Sequence, residues 1–309
     1  MDELLPWQVD DWHRLQRWKQ QNRIPHALLF VASPGIGQQA FARAWARSLL
    51  CQQPLASGQA CQHCQACGWM AAKTHPDWHE LSPEEDSAVI KIDAVRECQS
   101  YLNQSVHHGQ SQIMILDPAE ALPIASANAL LKVLEEPKPG TYFILLSTAP
   151  SRLLATLKSR CQMFNLERPS ASQSQEYLIS RGLSLDDVQE LMTWFPESPL
   201  LAADYYAQDE YQLLPELRQK WEQLSQRKID PLTVATALLK LPDALGFTAI
   251  TAWVEARIQQ PDLSSSTVQV LFEFRDACYE WRRQSDQHNL NRQLLLERLC
   301  CRWYEINPI

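Results

Sequence analysis

The sequence lacks any long apolar run. No stretch comes near the roughly 18 uncharged apolar residues that a membrane-spanning helix needs. The opening segment, residues 1–15, is acidic and has no apolar core of the kind found in secretory signal peptides. These absences exclude a transmembrane helix and predict a cytoplasmic protein with no membrane partner.

The sequence also lacks a basic charge balance. Lys and Arg number 28 against 36 Asp and Glu, which gives a formal net charge of -8. A protein that holds nucleic acid by itself usually presents a strongly positive surface. Any contact with DNA is therefore expected to be local or shared with partner proteins.

Short apolar runs alternate with helical patterns in the first half of the chain. Buried strands are expected at 27–32, 113–116 and 143–147, and helices at 38–50 and 124–136. Strands that alternate with helices predict a parallel sheet covered on both faces. The strand patterns stop after about residue 166, and only helical patterns follow.

The 309 residues are enough for two or three domains. The change of pattern predicts a fold of the α/β plus all-α class. Its expected parts are a three-layer parallel-sheet domain at 1–166, a small helical domain at 167–207 and a larger helical domain at 208–309.

Four of the nine cysteines lie close together, at Cys51, Cys61, Cys64 and Cys67. A Cys-x-x-Cys turn presents two sulfurs to one metal ion, and here two such turns share Cys64. Four thiolates match the tetrahedral preference of zinc and leave no open coordination position. The spacing therefore predicts a structural zinc site in an inserted module at 51–70.

Other interpretations of the cysteine cluster stay open. They are an iron–sulfur run of the bacterial ferredoxin type, unligated thiols and a redox-active pair. A ferredoxin run would continue with Cys and Pro, but Ala71 and Ala72 stand at those positions. The CxxC turns also lack a thioredoxin-like context. His63 and His75 are nearby alternative metal ligands.

The loop after the first expected strand has a degenerate phosphate-binding pattern. A phosphate-binding loop reads G-x-x-x-x-G-K-[ST], in which Lys neutralises phosphate charge and the hydroxyl holds magnesium. Aligned on Gly37, this sequence has Ala32 for the first Gly, Gln38 for the Lys and Gln39 for the hydroxyl residue. Gly35 and Gly37 preserve the turn, but the charge and the metal ligand are lost.

A second feature agrees with a degenerate nucleotide site. Asp117 ends an expected strand, as the magnesium-binding acid of such sites does. Pro118 occupies the next position, where a catalytic Glu would orient water, and Glu120 lies two residues beyond that position. We therefore expect a nucleotide-binding architecture that holds no ATP in its own site.

Several segments resemble bacterial clamp-loader subunits, a family of AAA+ proteins, and within it most closely the delta-prime type of the DNA polymerase III holoenzyme. These segments are 26–29 (HALL), 51–54 (CQQP), 74–77 (THPD), 93–96 (DAVR), 127–137 (ANALLKVLEEP), 153–161 (LLATLKSRC) and 291–295 (NRQLL). The resemblance spans the whole chain and is weakest in its middle.

The resemblance implies an AAA+-like domain, a helical lid and a helical collar in a five-subunit ring. Its partners would be ATPase subunits of the gamma/tau type and a delta-type subunit. The ring opens a sliding clamp and sets it on primed DNA, with ATP held at subunit interfaces. Delta-prime members do not hydrolyse ATP, so no intrinsic ATPase is expected here. The chain would be part of a DNA-directed DNA polymerase, a nucleotidyltransferase.

The Ser159-Arg160-Cys161 segment resembles the arginine-finger motif of the family. The resemblance implies that Arg160 reaches into the ATP site of the adjacent subunit, where a guanidinium stabilises charge in phosphoryl transfer. Two alternatives remain, namely an active ATPase motor subunit of the same loader and a zinc-ribbon protein that binds nucleic acid.

Overall fold

The computed structural model describes residues 4–84, 87, 89–102, 106, 108–109, 111–207, 211, 213–241, 243–258, 263–285 and 291–306. The chain divides into two compact units, Met1–Ser170 and Ala171–Ile309. No helix in this described part is both long and apolar enough to cross a membrane.

The first unit contains a five-stranded sheet in which every neighbouring pair is parallel. The strands are β1 Ala27–Val31, β2 Trp78–Leu81, β3 Gln112–Leu116, β4 Thr141–Ser147 and β5 Gln162–Asn165. Their order across the sheet is β2-β3-β4-β1-β5. The parallel sheet and the strands expected at 27–32, 113–116 and 143–147 are confirmed; β2 and β5, at the two edges, were not expected.

Helices cover both faces of this sheet. They are α1 Val9–Gln20, α2 Gln38–Leu50, α3 Gln65–Ala71, α4 Ile92–Leu102, α5 Ile124–Glu135 and α6 Ala155–Lys158. Successive side chains of a strand point to opposite faces. Accordingly, Phe30 of β1 is buried in one cluster with Trp45 of α2, and Leu29 is buried in another with Leu130 of α5. The three-layer α/β prediction is thus confirmed.

The described residues of the second unit form helices and the loops that connect them, with no strand. Its helices are α7 Ala171–Ser180, α8 Leu185–Trp194, α9 Pro199–Tyr206, α10 Leu214–Ser225, α11 Pro231–Leu238, α12 Asp243–Ile258, α13 Ser265–Ser285 and α14 Arg292–Ile306. Trp303 packs against Trp221, Trp253 and Phe274, with ring centroids 5.5, 5.2 and 4.8 Å away. One buried cluster runs from Leu178 to Trp303. The division of this helical part at 207/208 stays a prediction.

Candidate functional site

The degenerate loop lies between β1 and α2, at the end of the sheet where the parallel strands have their carboxyl termini. Gly35 and Gly37 have φ angles of 75° and 83°. This left-handed region is readily available to glycine, so both residues are suited to the turn. Gly37 is also the N-cap of α2. The expected order of strand, glycine turn and helix is confirmed.

Side chains from the start of the chain hold this loop from behind. The indole Nε1 of Trp7 donates a hydrogen bond to the Ile36 carbonyl at 2.9 Å. The Gln8 amide donates to the carbonyls of Ile36 and Gly37 at 3.0 and 3.1 Å. Trp7, Gln8 and Ile36 are all buried. The protein therefore fixes the loop through its own contacts, which no local pattern in the sequence indicated.

Gln39 and Asp117 are joined directly in the degenerate site. The Gln39 amide Nε2 donates to Oδ2 of Asp117 at 2.6 Å. An amide N–H cannot ligate a metal ion, so Gln39 meets Asp117 as a hydrogen-bond donor and not as a second magnesium ligand. Burial raises the pKa of Asp117, and the Gln39 hydrogen bond and the Arg43 charge partly offset that rise. Pro118 follows Asp117 through a cis peptide bond.

Glu120 anchors the chain segment that follows β4. Its Oε1 accepts hydrogen bonds from the Ser147 hydroxyl at 2.5 Å and from the Ala149 N–H at 2.7 Å. The oxygen is therefore engaged with the end of β4. These contacts suit a structural role for Glu120 better than the orientation of a water molecule.

The four clustered cysteine sulfurs lie within 4.8 Å of one another. The Cys51–Cys64 sulfur distance is 3.9 Å, and the Cys61–Cys67 and Cys51–Cys67 distances are 3.8 Å. A regular tetrahedron with Zn–S bonds of about 2.3 Å has edges of about 3.8 Å. A disulfide needs a separation of about 2.05 Å, and all four thiols are free. The sulfurs are therefore arranged to bind one tetrahedral metal ion.

Two helix ends and backbone N–H groups build this cluster. Cys51 is the C-cap of α2, and Cys64 is the N-cap of α3. The N–H groups of Cys61 and Cys64 donate to the sulfurs of Cys51 and Cys61 at 3.2 and 3.3 Å. Burial opposes ionisation of Cys64, but hydrogen bonds from the N–H groups of Cys67 and Gln52 outweigh it and lower the pKa of Cys64 to about 6. Burial raises the pKa of Cys51 and of Cys67, so Cys64 is the cluster thiol whose environment favours the thiolate, the form that binds metal.

The two histidines considered as alternative ligands lie outside the cluster. His63 Nδ1 contacts the Cys61 carbonyl at 2.8 Å, and His75 Nδ1 accepts a hydrogen bond from the Asp77 N–H at 3.1 Å. Within the described residues, the group that could hold a metal contains only the four cysteines. The structure thus brings together the cysteine set expected from the spacing.

Arg160 lies in the turn between α6 and β5. This turn is at the amino-terminal end of the parallel strands, whereas the degenerate loop is at their carboxyl end. β5 begins beside Leu28 near the start of β1, whereas the loop follows the end of β1. The Arg160 Nε donates to Glu135 Oε1 at 2.8 Å, Nη2 pairs with the same oxygen, and Nη1 donates to the Thr156 carbonyl at 2.8 Å. The Arg160 side chain is 29% exposed. Its role as an arginine finger stays a prediction.

The other two residues of that motif have ordinary local environments. The Ser159 hydroxyl donates to the Thr156 carbonyl at 3.0 Å. Burial raises the pKa of the Cys161 thiol to about 11, so this thiol is protonated at neutral pH. Glu135, the ion-pair partner of Arg160, was not expected, because it lies 25 residues earlier in the chain.

The comparisons agree on one family. The family described as DNA polymerase III, delta subunit, matches residues 7–170. A Pseudomonas aeruginosa protein named DNA polymerase III subunit delta' is 33% identical over an alignment of 326 positions, gaps included, which covers 98% of each chain. The protein of that name in Escherichia coli is 42% identical over 173 residues, or 56% of this chain and 52% of the E. coli protein.

A solved structure shares the fold. A DNA polymerase III gamma subunit-related protein from Thermotoga maritima superposes with a TM-score of 0.50 at 18% identity, covering 95% of this chain and 99% of that one. The fold is thus AAA+-like, with an α/β domain followed by a helical region. With the full-length match to the Pseudomonas protein, these findings show that the chain belongs to the delta-prime subunit family of DNA polymerase III clamp loaders.

Proposed function

We propose that this chain is a non-hydrolysing subunit of a replicative clamp loader that supplies Arg160 to the ATP site of a neighbouring subunit. It would help to load a sliding clamp onto primed DNA. The observation that carries this proposal is the hydrogen bond from Gln39 to Asp117, inside the site where an active subunit would hold magnesium.

Hydrolysis needs compensation for the charge of the triphosphate. Gln38 replaces the lysine of the pattern, and Gln39 replaces the hydroxyl that would hold magnesium. Asp117, the remaining acid, is bonded to Gln39. An active motor subunit would need all three groups, so the geometry favours a subunit that contributes to catalysis only through another site.

The position of Arg160 suits contact with a different subunit. The five residues of β1 span about 16 Å, and the loop and Arg160 lie towards opposite ends of that strand.

A guanidinium has five N–H hydrogens. Glu135 and the Thr156 carbonyl engage three of them, which leaves one hydrogen on each of Nη1 and Nη2. The contact from Nη1 to Ser159 Oγ, at 3.5 Å, is too long for a strong hydrogen bond.

This hydrogen-bond arrangement orients the arginine and keeps part of it available. Two hydrogens on neighbouring nitrogens form the fork that matches two phosphate oxygens. Glu135 holds the guanidinium through Nε and Nη2, so it acts as a positioning residue for Arg160. A γ-phosphate of a neighbouring subunit could bind the fork while the ion pair to Glu135 stays in place.

The four clustered cysteines would hold a structural zinc ion. Cys51, Cys61, Cys64 and Cys67 fill all four positions of a tetrahedral site, so the metal would contribute folding energy and no chemistry. Its effect would be to join the end of α2 to the start of α3.

The proposed setting is a cytoplasmic five-subunit ring that contains gamma/tau-type ATPase subunits and a delta-type subunit. Within it, the chain would be a non-catalytic part of a DNA-directed DNA polymerase holoenzyme. The full-length similarity to a delta-prime subunit supports this setting.

The test is Arg160→Ala in the assembled loader. A supplied arginine finger is worth about a thousandfold or more at one ATP site. We expect normal assembly, a large loss of clamp loading and a smaller loss of bulk ATPase, because other sites keep their own fingers. Arg17→Ala, which removes an exposed arginine of α1, is the matched control. Unchanged clamp loading by a correctly assembled Arg160→Ala ring would refute the finger.

A further inference from the structure

The first unit has a cavity of about 380 Å³ beside the cysteine cluster. Its lining residues are Arg43, Arg47, Met70, Lys73, His75, Trp78 and Glu80. These residues come from α2, from α3 and the segment after it, and from β2. The cavity volume falls within the range of about 300–1,000 Å³ that is usual for small-molecule sites.

The charge of this cavity contrasts with that of the chain. Three basic side chains and one acidic side chain line it, whereas acidic residues outnumber basic ones over the whole sequence. Arg43 pairs with Glu80, with Nε–Oε1 and Nη2–Oε2 distances of 3.1 and 2.9 Å. Lys73 is exposed and forms no ion pair within the described part of the chain. The lining residues therefore carry more positive than negative charge, which favours an anionic ligand.

An aromatic ring and a thioether complete the lining. Trp78 is half-buried, and its Nε1 donates to Glu80 Oε1 at 3.0 Å, which fixes the indole beside the Arg43–Glu80 pair. Met70 is buried on α3. Cations next to an aromatic surface are the combination that binds the phosphate and the base of a nucleotide.

The cysteine cluster sets the distance between two walls of the cavity. Arg47 lies one helical turn before Cys51, whose N–H donates to the Arg47 carbonyl at 2.9 Å. Met70 lies one turn after Cys67 on α3. Since Cys51 and Cys67 belong to one cluster, Arg47 and Met70 are held by the same four sulfurs. A metal in the cluster would therefore keep this cavity open at a fixed width.

We propose that this cavity binds a nucleotide unit, with its phosphate at Arg47 and Lys73 and its base against Trp78 and Met70. The unit could be a free nucleotide or one residue of a single-stranded nucleic acid, because both offer the same phosphate and base. The lining contains no residue of the degenerate loop, and the site needs no magnesium, because the protein's own cations neutralise the phosphate.

The experiment titrates the full-length protein, with its metal retained and no magnesium added, by calorimetry. The probes are inorganic phosphate, dAMP and a short single-stranded oligodeoxyadenylate. We expect saturable dAMP binding that is tighter than phosphate binding and weakens with salt. If the oligonucleotide binds at least about tenfold more tightly than dAMP, the natural ligand is a single-stranded nucleic acid. If the two bind equally, the natural ligand is a free nucleotide.

Two variants locate the site. Lys73→Glu should weaken dAMP binding about tenfold or more, because it replaces attraction for the phosphate with repulsion. Lys228→Glu, at an exposed lysine of the helical unit, should leave binding unchanged. Trp78→Leu should weaken dAMP binding but not phosphate binding. Absence of saturable dAMP binding, equal affinity for phosphate and dAMP, or equal affinities of the two lysine variants would each overturn the proposal.

Discussion

Cys64→Ser tests whether the sulfur cluster holds a metal that the fold depends on. Cys64 caps α3, and its sulfur lies 3.9 Å from that of Cys51. Serine keeps the size of the side chain but offers zinc a much weaker ligand. Cys98→Ser is the matched control. Cys98 is also buried, but it lies in the hydrophobic core on the other face of the sheet, away from the four clustered sulfurs.

The size of the effect follows from the metal-binding energy. Structural zinc binding is worth on the order of 10–16 kcal/mol in small zinc peptides. Even a third of that, about 4 kcal/mol, would lower the unfolding midpoint of a domain of this size by about 8–16 °C. The sheet should stay folded, because the hydrophobic core around Leu29, on one face of the sheet, contains none of the four metal-binding cysteines.

The loss of structure should spread from the module to α1. The Trp12 indole donates to the Ser57 carbonyl at 2.9 Å, and Gln16 approaches the Gly58 carbonyl at 3.4 Å. These contacts hold the loop between Cys51 and Cys61 against α1. Hydrogen exchange should therefore show lost protection in residues 51–71 and at the facing side of α1, while β3 and β4 stay protected.

Elemental analysis distinguishes the two variants better than thermal stability does. Cys98→Ser leaves a buried hydroxyl and is expected to cost about 1–3 kcal/mol, but it should keep one equivalent of zinc. Cys64→Ser should lose that equivalent. A Cys64→Ser protein that keeps its zinc, a wild type that carries iron, or a reduced wild type without metal would refute the structural zinc site.

The other predictions concern the nucleotide site, the finger and acid stability. Calorimetry should detect no magnesium-dependent ATP binding to the isolated chain, and micromolar magnesium-dependent binding would contradict the degenerate site. Arg160→Lys should restore little of the clamp loading lost in Arg160→Ala, since an ammonium lacks the planar fork. Hydrogen bonds, first from Ser184 and then from Tyr211 and Tyr206, lower the pKa of Asp187. The stability that this carboxylate contributes is therefore present above about pH 4 and lost below it, and Asp187→Asn should flatten that acid dependence in urea unfolding.

The sequence predicted central strands better than edge strands. β1, β3 and β4 have neighbours on both sides and helices on both faces, so they are continuous apolar runs. β5 lies at an edge, and of its four residues only Phe164 is buried. β2 lies at the other edge and buries only Leu81. Neither edge strand has an apolar run, so local pattern could not reveal it.

The same distinction applies to the candidate sites. The cysteine cluster and the glycine turn are local patterns, and their spacing was enough to predict them. The support from Trp7 and Gln8 joins the loop to residues nearly 30 positions earlier. The Arg160–Glu135 pair spans 25 positions. Contacts of this kind depend on how the chain folds back on itself, and one sequence gives no measure of them.

Gln39 of the degenerate loop has a physical role in the folded protein, because it contacts the carboxylate of Asp117. Asp117 is partly buried, which raises its pKa, and the charges of Glu80 and Glu120 disfavour its ionised form further. A nucleotide-binding site would balance this acid with magnesium, whereas here the Gln39 amide supplies a hydrogen-bond donor to the same oxygen. Under the proposed function, this hydrogen bond would help the site to keep its shape without nucleotide throughout an ATP cycle. The subunit would then present Arg160 in one fixed position while its neighbours bind and hydrolyse ATP.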